Sequence, residues 1–337
     1  MLPLTGKRIR YRWFVPFTGV LLAFSAQGQQ PDPEKLIEAG HWKKARVIVE
    51  TRLSQNPNDA LANFLLSQIR NAFGDYTTPL PLAEKAVALD GRVAKYHRQV
   101  AEATGLEAQH ANAFRLIILA RQFRSEIDTA ISLDPHDIQA HRDLLEYYLV
   151  APGIAGGDVQ KASAMAKQIG QLDAAEGLLA EARVASFRKR FNEAGELLRQ
   201  AVALQPSSYR ARLALAKFYS APESYNAALA LSGAQELLKL DAGRVEPYAI
   251  LAQVYAEQCD WNALDSLLAE AARQNPDDLA PYYRAAETLL STGREPARVA
   301  RYLQIYLEHQ PEGNEPTLAD ARRKLEPKGC HPCERSH

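Results

Sequence analysis

Small residues and prolines recur along this chain at a fixed interval: Gly40 and Gly74, Pro57 and Gly91, and Ala242 and Pro276 each stand 34 residues apart. That interval constrains the fold more than any single motif. It is the length of a helical hairpin that cannot cover its own apolar face and must stack on its neighbours. The 337 residues therefore form one elongated all-α array and need no division into globular halves. A hydrophobic share of 47%, with 18 Gly and 19 Pro, suits such a folded chain, and no long polar tract interrupts it.

The N-terminus carries Lys7, Arg8, Arg10 and Arg12, then an uncharged stretch from Trp13 to Ala26, then Ala26-Gln27-Gly28. Basic region, apolar region and small-residue site follow in the order of a secretory signal, so residues 1–28 are predicted to be a signal peptide cut after Gly28. The apolar stretch contains Pro16 and falls short of the roughly 20 residues a bilayer span needs. The protein is expected to be exported, periplasmic or secreted, with no stable membrane insertion after cleavage. An uncleaved N-terminal membrane anchor is the alternative. No cysteine lies near the site for lipid attachment.

Cleavage removes four of the 40 basic residues and none of the 40 acidic ones, which leaves a formal charge near −4. Nonspecific nucleic-acid binding draws on clustered Lys and Arg, so a mildly acidic chain argues against that class. The three cysteines, Cys259, Cys330 and Cys333, are too few for a disulfide framework.

The units align in register. The first has Gly40, Ala45, Val49 and Pro57, and the second Leu66, Ser67, Gly74, Ala83, Ala86 and Gly91. The seventh has Leu251, Ala252, Tyr255, Leu268, Ala271 and Pro276, and the eighth Ala285, Ala286, Gly293, Tyr302 and Pro311. Over residues 32–312 this pattern resembles the tetratricopeptide repeat (TPR) family, whose units carry small residues near positions 8, 20 and 27, Gly near 15 and Pro near 32. The resemblance implies a right-handed superhelical solenoid of about eight hairpins, spanning residues 29–327, with a capping helix built on Leu318, Ala321 and Leu325. Residues 328–337 form a separate cysteine-containing tail.

Departures from the pattern carry their own expectations. The first helix of the first unit is truncated, and Pro79 should shorten or displace the start of the second helix of its hairpin. The segment from Ala108 to Leu133 reads as one long helix of an extended third hairpin. The loop Ala151-Pro152-Gly153-Ile154-Ala155-Gly156-Gly157 is about five residues longer than the family pattern. No Lys-Ser/Thr pair follows it, so it is not a nucleotide loop. Asp158 is expected to cap the next helix.

In the resembled family the first helices of the hairpins line a concave groove. The matching positions here include Phe64, Arg98, Glu102, Arg142, Glu146, Glu176, Arg183, Arg210, Lys217 and Tyr283. The partner-binding candidates are Phe64, Arg98, Arg142, Arg183, Arg210, Lys217 and Tyr283. The mixture of signs does not match a carboxylate clamp. The basic residues either meet an acidic segment of a partner or pair with Glu102, Glu146 and Glu176 on neighbouring helices.

Cys330-His331-Pro332-Cys333 is the one chemically suggestive motif. It lacks the strand and helix framework of a thioredoxin-like dithiol, and Glu334 stands where haem attachment requires His. Zinc ligation by so short a segment would strain the tetrahedron. The pair Cys330 and Cys333 is read as a local disulfide or an inert tail. Cys259 has no neighbouring His to act as base and is read as a packed small side chain. Nothing marks a catalytic centre, a metal site or a cofactor.

The functional expectation is a non-enzymatic scaffold of the cell envelope that binds a protein or peptide segment in its groove. Two alternatives stand beside it. One is a thiol redox or metal-binding accessory role through Cys330 and Cys333, and the other is a self-associating structural protein, a homo-oligomer.

Overall fold

The structure is a computed structural model that describes residues 31–276, 278–308 and 318–326. The described residues from Asp32 onward belong to one compact unit. The regular elements among the described residues are all helical and run in eight consecutive hairpins. These are α1 (Pro33–Glu38) with α2 (Trp42–Gln55), α3 (Ala60–Ala72) with α4 (Pro79–Leu89), α5 (Ala94–Ala108) with α6 (Ala113–Leu133), and α7 (Ile138–Val150) with α8 (Val159–Leu172). They continue as α9 (Ala174–Phe187) with α10 (Phe191–Leu204), α11 (Tyr209–Ser220) with α12 (Ala227–Leu240), α13 (Glu246–Gln258) with α14 (Trp261–Gln274), and α15 (Ala280–Thr292) with α16 (Pro296–Glu308). A last helix, α17 (Leu318–Leu325), packs on α16. The all-α solenoid expected from the period is therefore present.

Local chemistry sets the helix boundaries. Asp59, Asn112, Asp137, Asp158, Asp173, Ser208, Asn226 and Asp260 each accept a backbone N–H from the first turn of the helix they precede, satisfying a donor that would otherwise lack a partner. Asp158 is thus the cap expected of it. Pro79 stands at the first position of α4 and leaves that helix 11 residues long, against 14 for α10, α12 and α14. The first helix, α1, has only 6 residues.

The core is a chain of small clusters, each shared by adjacent hairpins. Alanines that the period places at close approaches are fully buried, among them Ala45, Ala83, Ala86, Ala162, Ala166, Ala230, Ala234 and Ala252. Larger side chains such as Leu65, Ile69, Leu237, Leu264 and Leu268 fill the space between them.

Two expectations change. The long helix of the third hairpin starts at Ala113 rather than Ala108, because α5 runs through Ala108 and Asn112 then caps a fresh helix by accepting the N–H of Arg115 at 3.0 Å. The resulting α6 still has 21 residues. Cys259 is exposed rather than packed. It sits just past α13 in the left-handed conformation, φ 57°, the conformation that Gly293 adopts 34 residues later, φ 66°.

The long loop of the fourth hairpin closes on itself. A short 3₁₀ turn over Gly153–Ala155 is held by a bond from the Tyr147 hydroxyl to the Ala155 carbonyl, and the Asp158 amide returns to the Tyr148 carbonyl at 2.8 Å. A Cβ on Gly157 would fall 1.8 Å from the Ala151 carbonyl oxygen, so only glycine fits there. No described helix is long and apolar enough to cross a membrane.

Candidate partner-binding site

The first helices of successive hairpins carry a ladder of ion pairs built by the period. Arg142 on α7, Glu176 on α9 and Arg210 on α11 stand 34 residues apart. The Glu176 Oε2 accepts from Arg142 Nη1 at 2.7 Å and from Arg210 Nε at 3.0 Å. One carboxylate thus ties three units together. Burial, with the charge of Arg142 beside it, pulls the pKa of Arg210 down from its ordinary value, and Glu176 opposes that shift.

A second tie crosses the same seam. Arg183 on α9 makes a two-pronged bond to Glu146 on α7, with Nε to Oε1 at 2.7 Å and Nη2 to Oε2 at 2.9 Å. Arg98 on α5 lies 3.6 Å from Asp137 and 3.8 Å from Asp143, and Asp143 also accepts from Gln139 Nε2 at 2.7 Å. One of the two sequence expectations pairs the basic groove residues with Glu102, Glu146 and Glu176 on neighbouring helices. The structure sends Arg98 across to the next unit and leaves Glu102 with no ion pair among the described residues.

Two clefts open beside this ladder. The first, of about 710 Å³, lies between α3, α5, α6 and α7. Its acidic lining is Glu102, Asp143 and Glu146, its apolar lining includes Leu119, Phe123 and Val150, and among the described residues it contains no Lys or Arg. The second, of about 520 Å³, lies between α7, α9, α10 and α11 and holds Arg142, Arg183, Arg210 and Lys217. Asp143 and Glu146 line both, so the two clefts share a wall.

Within the first cleft, Glu102 is reached by water yet hemmed in by the surrounding walls. That desolvation, reinforced by the charge of Asp143 and opposed by Arg98, pushes its carboxyl pKa upward. Burial likewise raises Asp143, against the pull of Arg98 and of the Gln139 hydrogen bond. Asn71 lines the same cleft at 7% exposure, and neither its amide nitrogen nor its amide oxygen has a hydrogen-bond partner among the described residues.

Of the groove candidates, Arg98, Arg142, Arg183 and Arg210 come together through their internal carboxylate partners, and Lys217 lines the second cleft with no ion pair among the described residues. Phe64 and Tyr283 differ from expectation. Phe64 is 3% exposed, packed on the Tyr96 ring at 5.1 Å and covered by Lys95. Tyr283 is 1% exposed, because α17 lies over it and Asp320 accepts its hydroxyl. Both are core residues, since an aromatic side chain on a stacked helix gains more by burial than by facing solvent. Asn71 and Asp143 are the cleft residues that sequence reasoning did not single out for binding. Asn71 did fall on a groove position of the family pattern.

Among the described residues no group of three or more His, Cys, Asp and Glu could hold a metal ion. Cys330, Cys333 and residues 1–28 lie outside the described residues.

No family model matches the sequence, and no curated protein matches it. Solved structures do. Yeast Tom70 resembles it with a TM-score of 0.56 over 90% of this chain at 13% identity, and this chain spans 65% of the Tom70 chain. A thermophilic TPR protein of Thermus thermophilus resembles it with a TM-score of 0.48, at 22% identity, over 55% of this chain and 94% of its own. A tetratricopeptide repeat protein from Parabacteroides merdae gives a TM-score of 0.43, at 12% identity, over 81% of this chain and 95% of its own. The tandem hairpins, their 34-residue period and the likeness to Tom70 identify the fold as that of the tetratricopeptide repeat proteins.

Proposed function

We propose that the protein is a non-enzymatic scaffold of the cell envelope that holds a segment of a protein partner along the two clefts of hairpins two to six. The observation that carries this reading is their continuity. Two clefts of about 710 and 520 Å³ share Asp143 and Glu146, which gives an extended segment one path across several units rather than a closed pocket for a small substrate. Affinity would be spread over several units. The placement in the envelope rests on the basic, apolar and small-residue order of residues 1–28.

Photo-crosslinking residues placed at Val150 and Lys217 in the full chain test it. Val150 is 65% exposed in the first cleft and Lys217 is exposed in the second. Both should yield, in the native cell, adducts that map to one contiguous segment of one partner. A crosslinker at exposed Leu204 on α10, outside both clefts, serves as control. Identical products from all three sites, or no protein adduct from either cleft, would overturn the reading.

A further inference from the structure

Arg142, Arg183 and Arg210, for which the sequence left an acidic partner or internal pairing open, are already paired with Glu176 and Glu146. The first cleft, by contrast, holds carboxylates and an amide that lack such partners. Its lining contains three carboxylates and, among the described residues, no cation. Glu102 has no ion pair with any described residue, Asp143 shares the single guanidinium of Arg98 with Asp137 at 3.6 to 3.8 Å, and of the three only Glu146 has a close cationic partner of its own among the described residues. Beside them Asn71, more than nine-tenths buried, offers an amide oxygen and an amide nitrogen that no described protein group meets.

A buried amide left without partners costs about 1–3 kcal/mol, a cost that a ligand atom reaching Asn71 from the cleft would relieve. The remaining lining is apolar, from Leu116, Leu119, Ala120 and Phe123 on α6 to Val150 and Pro152 at the end of α7.

We infer that the first cleft receives an apolar protein segment bearing one cationic side chain, Arg or Lys, whose head group is held by Glu102 and the Asn71 amide oxygen while its neighbours pack on the α6 wall. Charge complementarity commits the occupant. A cation offsets the unpaired charge of Glu102, whereas an acidic segment would add a fourth carboxylate to three. The head group brings donors only, and Glu102 and the Asn71 oxygen are the acceptors left for it. Desolvation by the cleft walls, reinforced by Asp143 and only partly opposed by Arg98, raises the pKa of Glu102, and a bound cation would offset it. This inference rests on the groove reading given above and adds the chemistry of what the groove takes.

The test uses the full chain and three pools of fluorescein-labelled apolar peptides that carry at their centre Arg, citrulline or Glu. Fluorescence anisotropy should rank Arg first, with citrulline about tenfold weaker and Glu weaker still. Glu102→Gln, which removes no contact within the described protein, should lower Arg-pool affinity to the citrulline level. Lys167→Gln, exposed on α8 outside both clefts, should leave the ranking unchanged. Pools that bind and crosslink at Val150 without preference for Arg, or with preference for Glu, would overturn this inference and leave the groove reading standing. No binding by any pool would overturn both.

Discussion

Gly170 on α8 and Gly177 on α9 bring two helix backbones together so closely that a Cβ on Gly177 would lie 2.3 Å from the Gly170 Cα, while a Cβ on Gly170 would lie 3.5 Å from the Gly177 Cα. The contact is asymmetric. Gly177→Ala drives a carbon into backbone that cannot yield and should destabilise the protein by about 1–3 kcal/mol. Gly170→Ala meets ordinary van der Waals contact and replaces a helical glycine, a stabilisation of up to about 1 kcal/mol. Denaturant unfolding of the two variants side by side checks both signs.

The ladder through Glu176 predicts a non-additive response. Glu176→Gln leaves Arg142 and Arg210 facing each other without a counter-charge, and should cost about 1–2 kcal/mol, less than a fully buried pair because Arg210 is half exposed. Adding Arg142→Gln should recover part of that loss. A double-mutant cycle by urea unfolding measures the coupling, and strict additivity would show that the ladder does not join the units energetically.

Lys189 and Cys259 occupy left-handed backbone at φ 60° and 57°, where an L residue costs about 1 kcal/mol or more relative to glycine. Lys189→Gly and Cys259→Gly should each stabilise the protein by up to about 1 kcal/mol. Cys259→Gly gives up a 3.4 Å contact from Arg294 to Sγ, so the smaller gain is expected there. Chemical denaturation midpoints read the effect.

Glu102 predicts a pH-dependent difference. Its folded-state pKa is raised above the ordinary 4.5, so the folded protein retains that proton more strongly than the unfolded chain does. The favourable contribution is full below pH 4.5 and is lost as pH rises through the folded-state value. Glu102→Gln, permanently neutral, should therefore match wild type at about pH 4 and exceed it at about pH 7, by at most about 1 kcal/mol because water reaches the carboxylate. Stability measured at both values decides it.

The two ends of the C-terminal region should behave differently. Truncation after Pro327, which removes Cys330 and Cys333, should leave stability and partner crosslinking unchanged, and loss of crosslinking would favour the thiol role instead. Truncation before Leu318 also removes α17. That exposes the cluster of Tyr283, Leu289, Tyr302 and Tyr306, which Leu318, Ala321 and Leu325 otherwise join, and breaks the Lys324–Glu287 pair at 2.5 Å. A fall in thermal midpoint for this variant alone is expected.

The period made the hairpins, the buried alanines, the displaced start of α4 and the Asp158 cap legible, because each follows from chemistry local to a few residues. Cys259 was misread for the opposite reason. Its turn takes its conformation from the position in the hairpin and not from the residue, and only alignment with Gly293, 34 residues on, exposes the left-handed backbone. Phe64 and Tyr283 fell on groove positions by register, but an aromatic ring there turns inward when a neighbour such as Tyr96 or α17 is present to cover it. Glu102 was expected to pair with a basic residue of a neighbouring helix, whereas Arg98 turns to Asp137 and Asp143 of the next unit, a choice no single-chain pattern encodes.

Asp173 is the sole residue between α8 and α9, the C-cap of one and the N-cap of the other. A joint of one residue, locked by the Gly170–Gly177 contact, has no slack to bend. The side of the second cleft that α9 supplies is therefore set before any guest arrives, and recognition at this seam selects among incoming shapes instead of yielding to them.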